Sequence, residues 1–233
     1  MPTDNKTGNY RFLGAEGQPF SGGAVADSGF DLVHATFERP LPLDEALEAA
    51  TRHLRDASRP TQAIAGFELR IPAPLTANTW GDFNRGYIER LKSMGLEVDG
   101  LFPAARSNLA IDGVSEPSVY GFHYTVPGGR GRPAYVMSGA PEEKPADLES
   151  MLKSMMRTLS GRMAELGVRW EDATRIQLYG VEDVQGLLAE HVLRQLGPAG
   201  VHGIHWFPSR PPIEGLILEI DVRAAGTELT LPA

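Results

Sequence analysis

Apolar positions recur every three or four residues along ADLESMLKSMMRTLSGRMAELG. Leu148, Met151, Leu152, Met155, Met156, Leu159, Met163 and Leu166 fall on one side of a helix. Asp147 stands where a helix cap belongs and Gly167 where a helix stops. A methionine-rich stripe would suit an adaptable binding groove. Here the opposite face is charged, so the stripe reads as core-facing. A second helix is predicted over LDEALEAATRHLRDA, with Leu43, Ala46, Leu47, Ala50 and Leu54 on one face. A third covers TWGDFNRGYIERLKSMG and carries Phe83, Tyr87 and Leu91. A weaker fourth covers VEDVQGLLAEHVLRQLG.

Between these lie short stretches rich in β-branched and aromatic residues, bounded by Gly, Pro or Asp: FDLVHATFE, AGFELRIP, ARSNLAI, SVYGFHYTV, AYVMSG, TRIQLYG, VHGIHW and GLILEIDV. The order is strand, long helix, strand, shorter helix, then two strands. It occurs twice, once on each side of VPGGRGRP. That segment has a glycine-loop composition but lacks the Gly-Lys-Ser/Thr ending of a phosphate loop, and a strand follows it, so it reads as a turn or linker. The expected organisation is a tail over 1–8, a module over 9–126, a linker over 127–133 and a second module over 134–233. The fold class is α/β (α+β): two tandem modules, each a mixed β-sheet with two helices on one face. The uncovered face of each sheet needs a neighbour, which predicts oligomerisation.

Composition narrows the partners. The 233 residues carry a net charge of −8 and no cysteine. No Lys/Arg-rich block interrupts the acidic surface, which speaks against a nucleic-acid partner. Disulfides and thiolate metal sites are excluded. The polar start MPTDNKTGNYRFLG lacks the apolar core of a signal peptide, and no apolar run reaches membrane-spanning length. A cytoplasmic protein with no membrane partner is the expectation. His202 and His205 form H-x-x-H within a predicted strand, where that spacing sends them to opposite faces; no metal site is expected. There is no Gly-x-Ser-x-Gly elbow.

Several of these segments resemble the RidA (YjgF) family, whose modules have a chorismate-mutase-like fold. YVMSGAP is similar to a family strand ending in Ser-Gly, here Ser138 and Gly139. LILEIDVRA is similar to the closing strand with its glutamate, here Glu219. QPFSGGAVADSGFDLVHA resembles the opening hairpin. DFNRGYIERL resembles the helix bearing an asparagine and a tyrosine, here Asn84 and Tyr87. PAARSNLAI resembles the strand with the carboxylate-binding arginine, here Arg106. The departures are complementary. The first half has His34-Ala35 near the expected Ser-Gly and no acid in SVYGFHYTV. The second half has Gly200 nearest the expected arginine, with Arg210 a possible substitute in the next loop.

The resemblance implies hydrolysis of 2-imino or 2-enamino acids to 2-keto acids and ammonia, without a cofactor, in a homotrimer. The partner would be a small carboxylate-bearing metabolite. Arg106 would grip the carboxylate in a bidentate fork. Glu219 would orient water or shuttle a proton if burial raised its pKa. Ser138 and Gly139 would offer a hydroxyl and an N–H. Taken alone, Arg106 reads as a strand-end charge, and Glu219 and Asp221 as outward-facing alternates of Leu218 and Ile220. Two outcomes stand open. Arg106 and Asn84 of one half join Ser138, Gly139 and Glu219 of the other in a composite site, or neither half works and the protein is a non-catalytic binder or scaffold. An endoribonuclease activity fits the charge poorly.

Overall fold

The structure is a computed structural model that describes residues 1–14, 19–129, 131–139 and 147–233. Strands β1 (Thr3–Asn5), β2 (Tyr10–Gly14) and β3 (Phe20–Ala26) come first. The first half continues with β4 (Phe30–Pro42), α1 (Leu43–Asp56), β5 (Ile64–Ile71), α2 (Ala77–Ser93), β6 (Phe102–Ala110) and β7 (Ser118–Pro127). The second half has β8 (Tyr135–Gly139), α3 (Leu148–Leu166), β9 (Arg175–Tyr179), α4 (Gln185–Leu188) and α5 (Arg194–Leu196). It closes with β10 (His205–Phe207), β11 (Glu219–Ala224) and β12 (Thr227–Leu231).

The helices form where the pattern places them. On α3 the Asp147 side chain accepts from the Ser150 N–H, and Gly167 ends the helix at φ +72°, a left-handed turn that suits glycine. Its buried stripe runs from Met151 to Leu166. On α1, Leu43, Ala46, Leu47, Ala50 and Leu54 are all buried. The weak fourth helix is interrupted: a π-helical turn, Ala189–Leu193, separates α4 from α5.

One sheet runs β10-β9-β11-β8-β3-β6-β5-β7-β4-β12, with β2 on β3 and β1 on β2. Both halves build the same order. Their third strand lies beside their second, then come the fourth and the first: β6-β5-β7-β4 and β10-β9-β11-β8. In each, the first pairing is parallel and the next two antiparallel. Helices α1 and α2 cover one face of the first half, and α3 with the α4–α5 segment covers the second. The sheet curls until the helix-free faces of its two halves meet: Arg223 on β11 reaches Glu68 on β5 at 3.5 Å, and Arg70 on β5 lies over the Tyr179 ring on β9. Each half is therefore the neighbour that the other half's open face requires, so burial of these faces gives no separate reason for oligomerisation.

The structure differs from the sequence expectations at several points. Within the expected tail, Thr3–Asn5 forms β1 and pairs with β2. The Asn5 side chain is buried, donating to the Gln62 carbonyl and accepting from the Gly8 N–H. The expected opening hairpin does not form, because β3 pairs with β2, β6 and β8, and β4 lies across the sheet beside β7 and β12. His202 lies in a 3-10 turn, Gly197–His202, and only His205–Phe207 of VHGIHW is strand. Residue 130 of the linker, residues 15–17 with Gln18 of the expected hairpin, and 140–146 before α3 lie outside the described residues. No described helix is long and apolar enough to cross a membrane.

Candidate active site

Residue 106 pairs with Phe67 across β6 and β5. Its side chain therefore leaves the sheet on the helix-covered face, shared with Phe102 and Ala104. A guanidinium there has to be held by aromatic faces and an acceptor. Phe20 lies 4.0 Å from its carbon to ring centroid, Trp80 4.8 Å and Tyr87 5.2 Å. Arg106 Nη1 donates to Asn84 Oδ1 at 2.9 Å. Burial pulls the arginine down to about 10, which leaves it charged at neutral pH. Asn84 and Tyr87 both touch Arg106, but neither lines the cleft that the arginine enters.

That cleft, of about 180 Å3, lies at the seam where β3 joins the two halves. Ser21 and Gly22 of β3 form part of its wall, and Arg106 and Asn108 of β6 another part. From the second half come Ser138, Gly139 and Glu219. Trp80, Pro212, Ile213 and Leu216 supply apolar surface. Arg106 and Glu219 thus face one cleft, from opposite halves of the chain.

Glu219 opens β11. Ile220, Val222 and Ala224 point into the core beneath α3, so Glu219, Asp221 and Arg223 take the other face. That face is buried because the first half closes over it, so these residues do not project into solvent as alternation alone suggests. Ser138 Oγ donates to Glu219 Oε1 at 3.2 Å. Burial, then repulsion from Asp221, pushes the Glu219 carboxyl up to about 8; Ser138 and Arg106 pull it back in part. At neutral pH Glu219 is mostly a neutral acid whose proton is poised for exchange.

Nothing in the sequence singles out Arg162 on α3. It is half-buried, lines the same cleft, and donates from Nη1 to the Ser138 carbonyl at 2.9 Å. Heptad position gives no cue, since it falls among the polar residues between Leu159, Met163 and Leu166.

Behind Glu219 the meeting faces hold a chain of buried polar groups. Tyr179 donates to Asp221 at 2.8 Å, and burial followed by Glu68 repulsion raises Asp221 to about 6. Glu68 sits between Arg70 at 3.6 Å, Arg223 at 3.5 Å and His34 at 3.1 Å. Those cations hold its carboxyl well below the usual range against the opposing effect of burial. The His34 ring stacks on His123 at 4.5 Å. His34, Glu68 and His123 bring their ligand atoms within 4.8 Å of one another. Two guanidiniums already press on the one carboxylate of that group, so its electrostatics oppose a further cation. A void of about 10 Å3, the size of one water, lies between these residues and Ser138.

Strand register corrects two equivalences. Glu68 and Gln177 are the matching inward-facing residues of β5 and β9, and both reach Arg223. Arg106 stands opposite Phe67, one step before the partner of Glu68. His205 stands opposite Gln177, so the counterpart of Arg106 is Ile204, not Gly200. Arg210 pairs with Ala110 in the following loop, away from that position. Asp221 pairs with Ser138 as Gly121 pairs with Thr36, so Thr36-Phe37, not His34-Ala35, matches Ser138-Gly139.

Fold and cleft together define a RidA-like α+β protein with a guanidinium and a buried acid in one seam. Residues 2–229 match the family model for 2-aminomuconate deaminase CnbZ, and the chain belongs to that family. It is 33% identical over 245 residues, 96% of each chain, to the 2-amino-5-chloromuconate deaminase of Comamonas testosteroni. Among solved structures, it is similar to Rv2704 of Mycobacterium tuberculosis, a member of the YjgF/YER057c/UK114 family, at 17% identity and TM-score 0.27, covering 40% of this chain and 78% of that one. It is similar to a cyanuric acid hydrolase at 12% identity and TM-score 0.30, covering 84% and 69% of the two chains.

Proposed function

We propose that this protein is a deaminase of 2-aminomuconate-type compounds, releasing ammonia by hydrolysis at the seam cleft. The observation that carries the reading is the meeting of Arg106 and Glu219 in one cleft, with Ser138 bonded to Glu219. The full-length match to aminomuconate deaminases supplies the substrate class.

Arg106 grips the carboxylate beside the reacting carbon. Its aromatic box and Asn84 fix the plane of the fork, which positions the substrate before chemistry starts. The enamine reacts as its imine tautomer. Glu219 gives its proton to the imine nitrogen and becomes a carboxylate. Water adds to the adjacent carbon and its proton passes to Glu219. Glu219 returns that proton to nitrogen as the C–N bond breaks and takes up the hydroxyl proton released as the C=O bond forms, leaving a 2-keto acid, ammonia and a Glu219 protonated as at the start. A carboxyl near pKa 8 suits both directions of transfer at neutral pH. Ser138 holds Glu219 in place, and Gly139 lines the floor.

The same reading includes two modules, over 9–126 and 134–233, joined by the segment 127–133. It also includes a cytoplasmic location, which a chain without cysteine suits, and a homotrimer, argued from the family resemblance alone because the inner sheet faces already cover one another. Ammonia release from freshly generated 2-aminomuconate tests the activity, and mass measurement in solution tests the assembly. Arg106→Gln and Glu219→Gln are each expected to lower kcat/KM by roughly a hundredfold or more. Unchanged rates in both variants refute the site.

A further inference from the structure

We infer that the chain has a second ligand site, outside the seam cleft, for a planar aromatic acid: the cavity where Arg70 of the first half meets Tyr179 and Phe207 of the second. This goes beyond the proposed activity and does not depend on it.

Alternation and pairing place its walls. Arg70 leaves β5 on the same face as Glu68, and Leu109 of β6 pairs with it. Arg106, three residues before Leu109, therefore faces the other side of β6. From the second half, Tyr179 of β9 pairs with Phe207 of β10, and their rings stack at 5.3 Å. Tyr120 of β7 adds a third ring to the lining. The cavity measures about 360 Å3, within the range of small-molecule sites, and among the described residues it shares none of its lining with the seam cleft. Phe207 and Pro208 line it and are exposed, so it opens to solvent beside them.

Two polar groups fit it to an acid. Arg70 is the one charged residue of the described lining. Its guanidinium carbon lies 4.9 Å from the Tyr120 ring centroid and 6.0 Å from that of Tyr179. Among the described residues it makes one hydrogen bond, from Nη1 to the Leu69 carbonyl. Glu68 stands 3.6 Å from Nη2, beyond hydrogen-bond reach, and has Arg223 and His34 as further cations. Most of the five N–H donors of Arg70 are thus open to a ligand acceptor. Ser209 also lines the cavity. It is 7% exposed, and its Oγ has no hydrogen-bond partner among the described residues, a costly state for a buried hydroxyl. Its backbone is fixed, because Ala110 and Arg210 exchange hydrogen bonds of 2.8 and 3.2 Å beside it. The hydroxyl is therefore in place before a ligand arrives. The aromatic walls match a flat ring system, Arg70 matches a carboxylate on it, and Ser209 matches a further polar atom.

Calorimetric titration of the full chain with 2-naphthoate, and with 2-naphthamide as its neutral counterpart, gives the test. Wild type is compared with Arg106→Gln, which lacks the seam guanidinium. Arg106→Gln is expected to bind naphthoate with one equivalent, at least about tenfold tighter than naphthamide. Arg70→Gln should erase that preference. Tyr120→Ala and Ser209→Ala, which leave the buried ion pairs intact, should each weaken naphthoate about threefold or more. The inference is overturned if Arg106→Gln abolishes naphthoate binding, since the ligand then sits in the seam. It is equally overturned if the two ligands bind alike, or if Tyr120→Ala and Ser209→Ala leave the affinity unchanged. Failure of naphthoate to bind at all overturns it too, and a lower solution mass for Phe207→Ser would then assign the cavity to a contact between copies of the chain. None of these results bears on ammonia release at Arg106 and Glu219, so the two readings fail separately.

Discussion

Replacing Glu219 by glutamine should make the protein more stable, and increasingly so as pH rises. In the folded state burial and Asp221 raise this carboxyl from its ordinary 4.5 to about 8. Between those values the folded chain keeps a proton that the unfolded chain has released. The folded state binds more protons, so its stability falls with rising pH across that window and levels off above about 8. From about pH 6 to about pH 9 the wild type should lose roughly 2–3 kcal/mol through this one group. Glutamine cannot ionise, keeps the shape, and still accepts from Ser138. Urea melts of wild type and Glu219→Gln at both pH values measure the gap between them. It should widen by about that amount at the higher pH. A gap that is constant, or that narrows, would show that Glu219 is ionised in the fold and would remove the acid–base role.

Arg106→Lys should lose most of the activity of the wild type, because a point charge does not reproduce a fork stacked among Phe20, Trp80 and Tyr87; kcat/KM on 2-aminomuconate measures this. Glu228→Gln should flatten the acid side of the stability profile. Glu228 is held down to about 2 by the His34 hydrogen bond and by Arg223, against the effect of burial, so its contribution is present above 4.5 and fades as pH falls towards 2. Melting temperature against pH reads this. The effect should be modest, since that side chain is 42% exposed. Gly8→Ala should destabilise by about 2 kcal/mol or more, because an added Cβ would stand 2.2 Å from the Gln62 carbonyl oxygen. An unchanged melting temperature there would return residues 1–8 to the status of a loose tail.

Periodicity made the helices legible. The stripes of α1 and α3 are long enough to fix both position and facing, and Asp147 and Gly167 mark the ends of α3. Arg106 stands out because a guanidinium interrupts a strand of small and apolar residues. Glu219 is harder: alternation separates it from Ile220 but cannot tell a solvent-facing side from one covered by another part of the chain. The curl of the sheet makes that difference. Ile204 is missed as the counterpart of Arg106 because a 3-10 turn precedes β10, and counting along VHGIHW cannot supply a register that only strand pairing fixes. Arg162 gives no local signal, since an arginine on a helix flank usually faces water.

The position of β3 has a consequence for how the chain is made. Its partners β6 and β8 come from different halves, and β8 is synthesised more than a hundred residues after β3. A nascent first half therefore carries an open strand edge until Tyr135–Gly139 emerges, a template for mispairing during that interval. The duplicated architecture has in this way given up its modularity. Either half expressed alone should be insoluble or misassembled, and the two should be able to diverge in sequence only while they continue to share that strand.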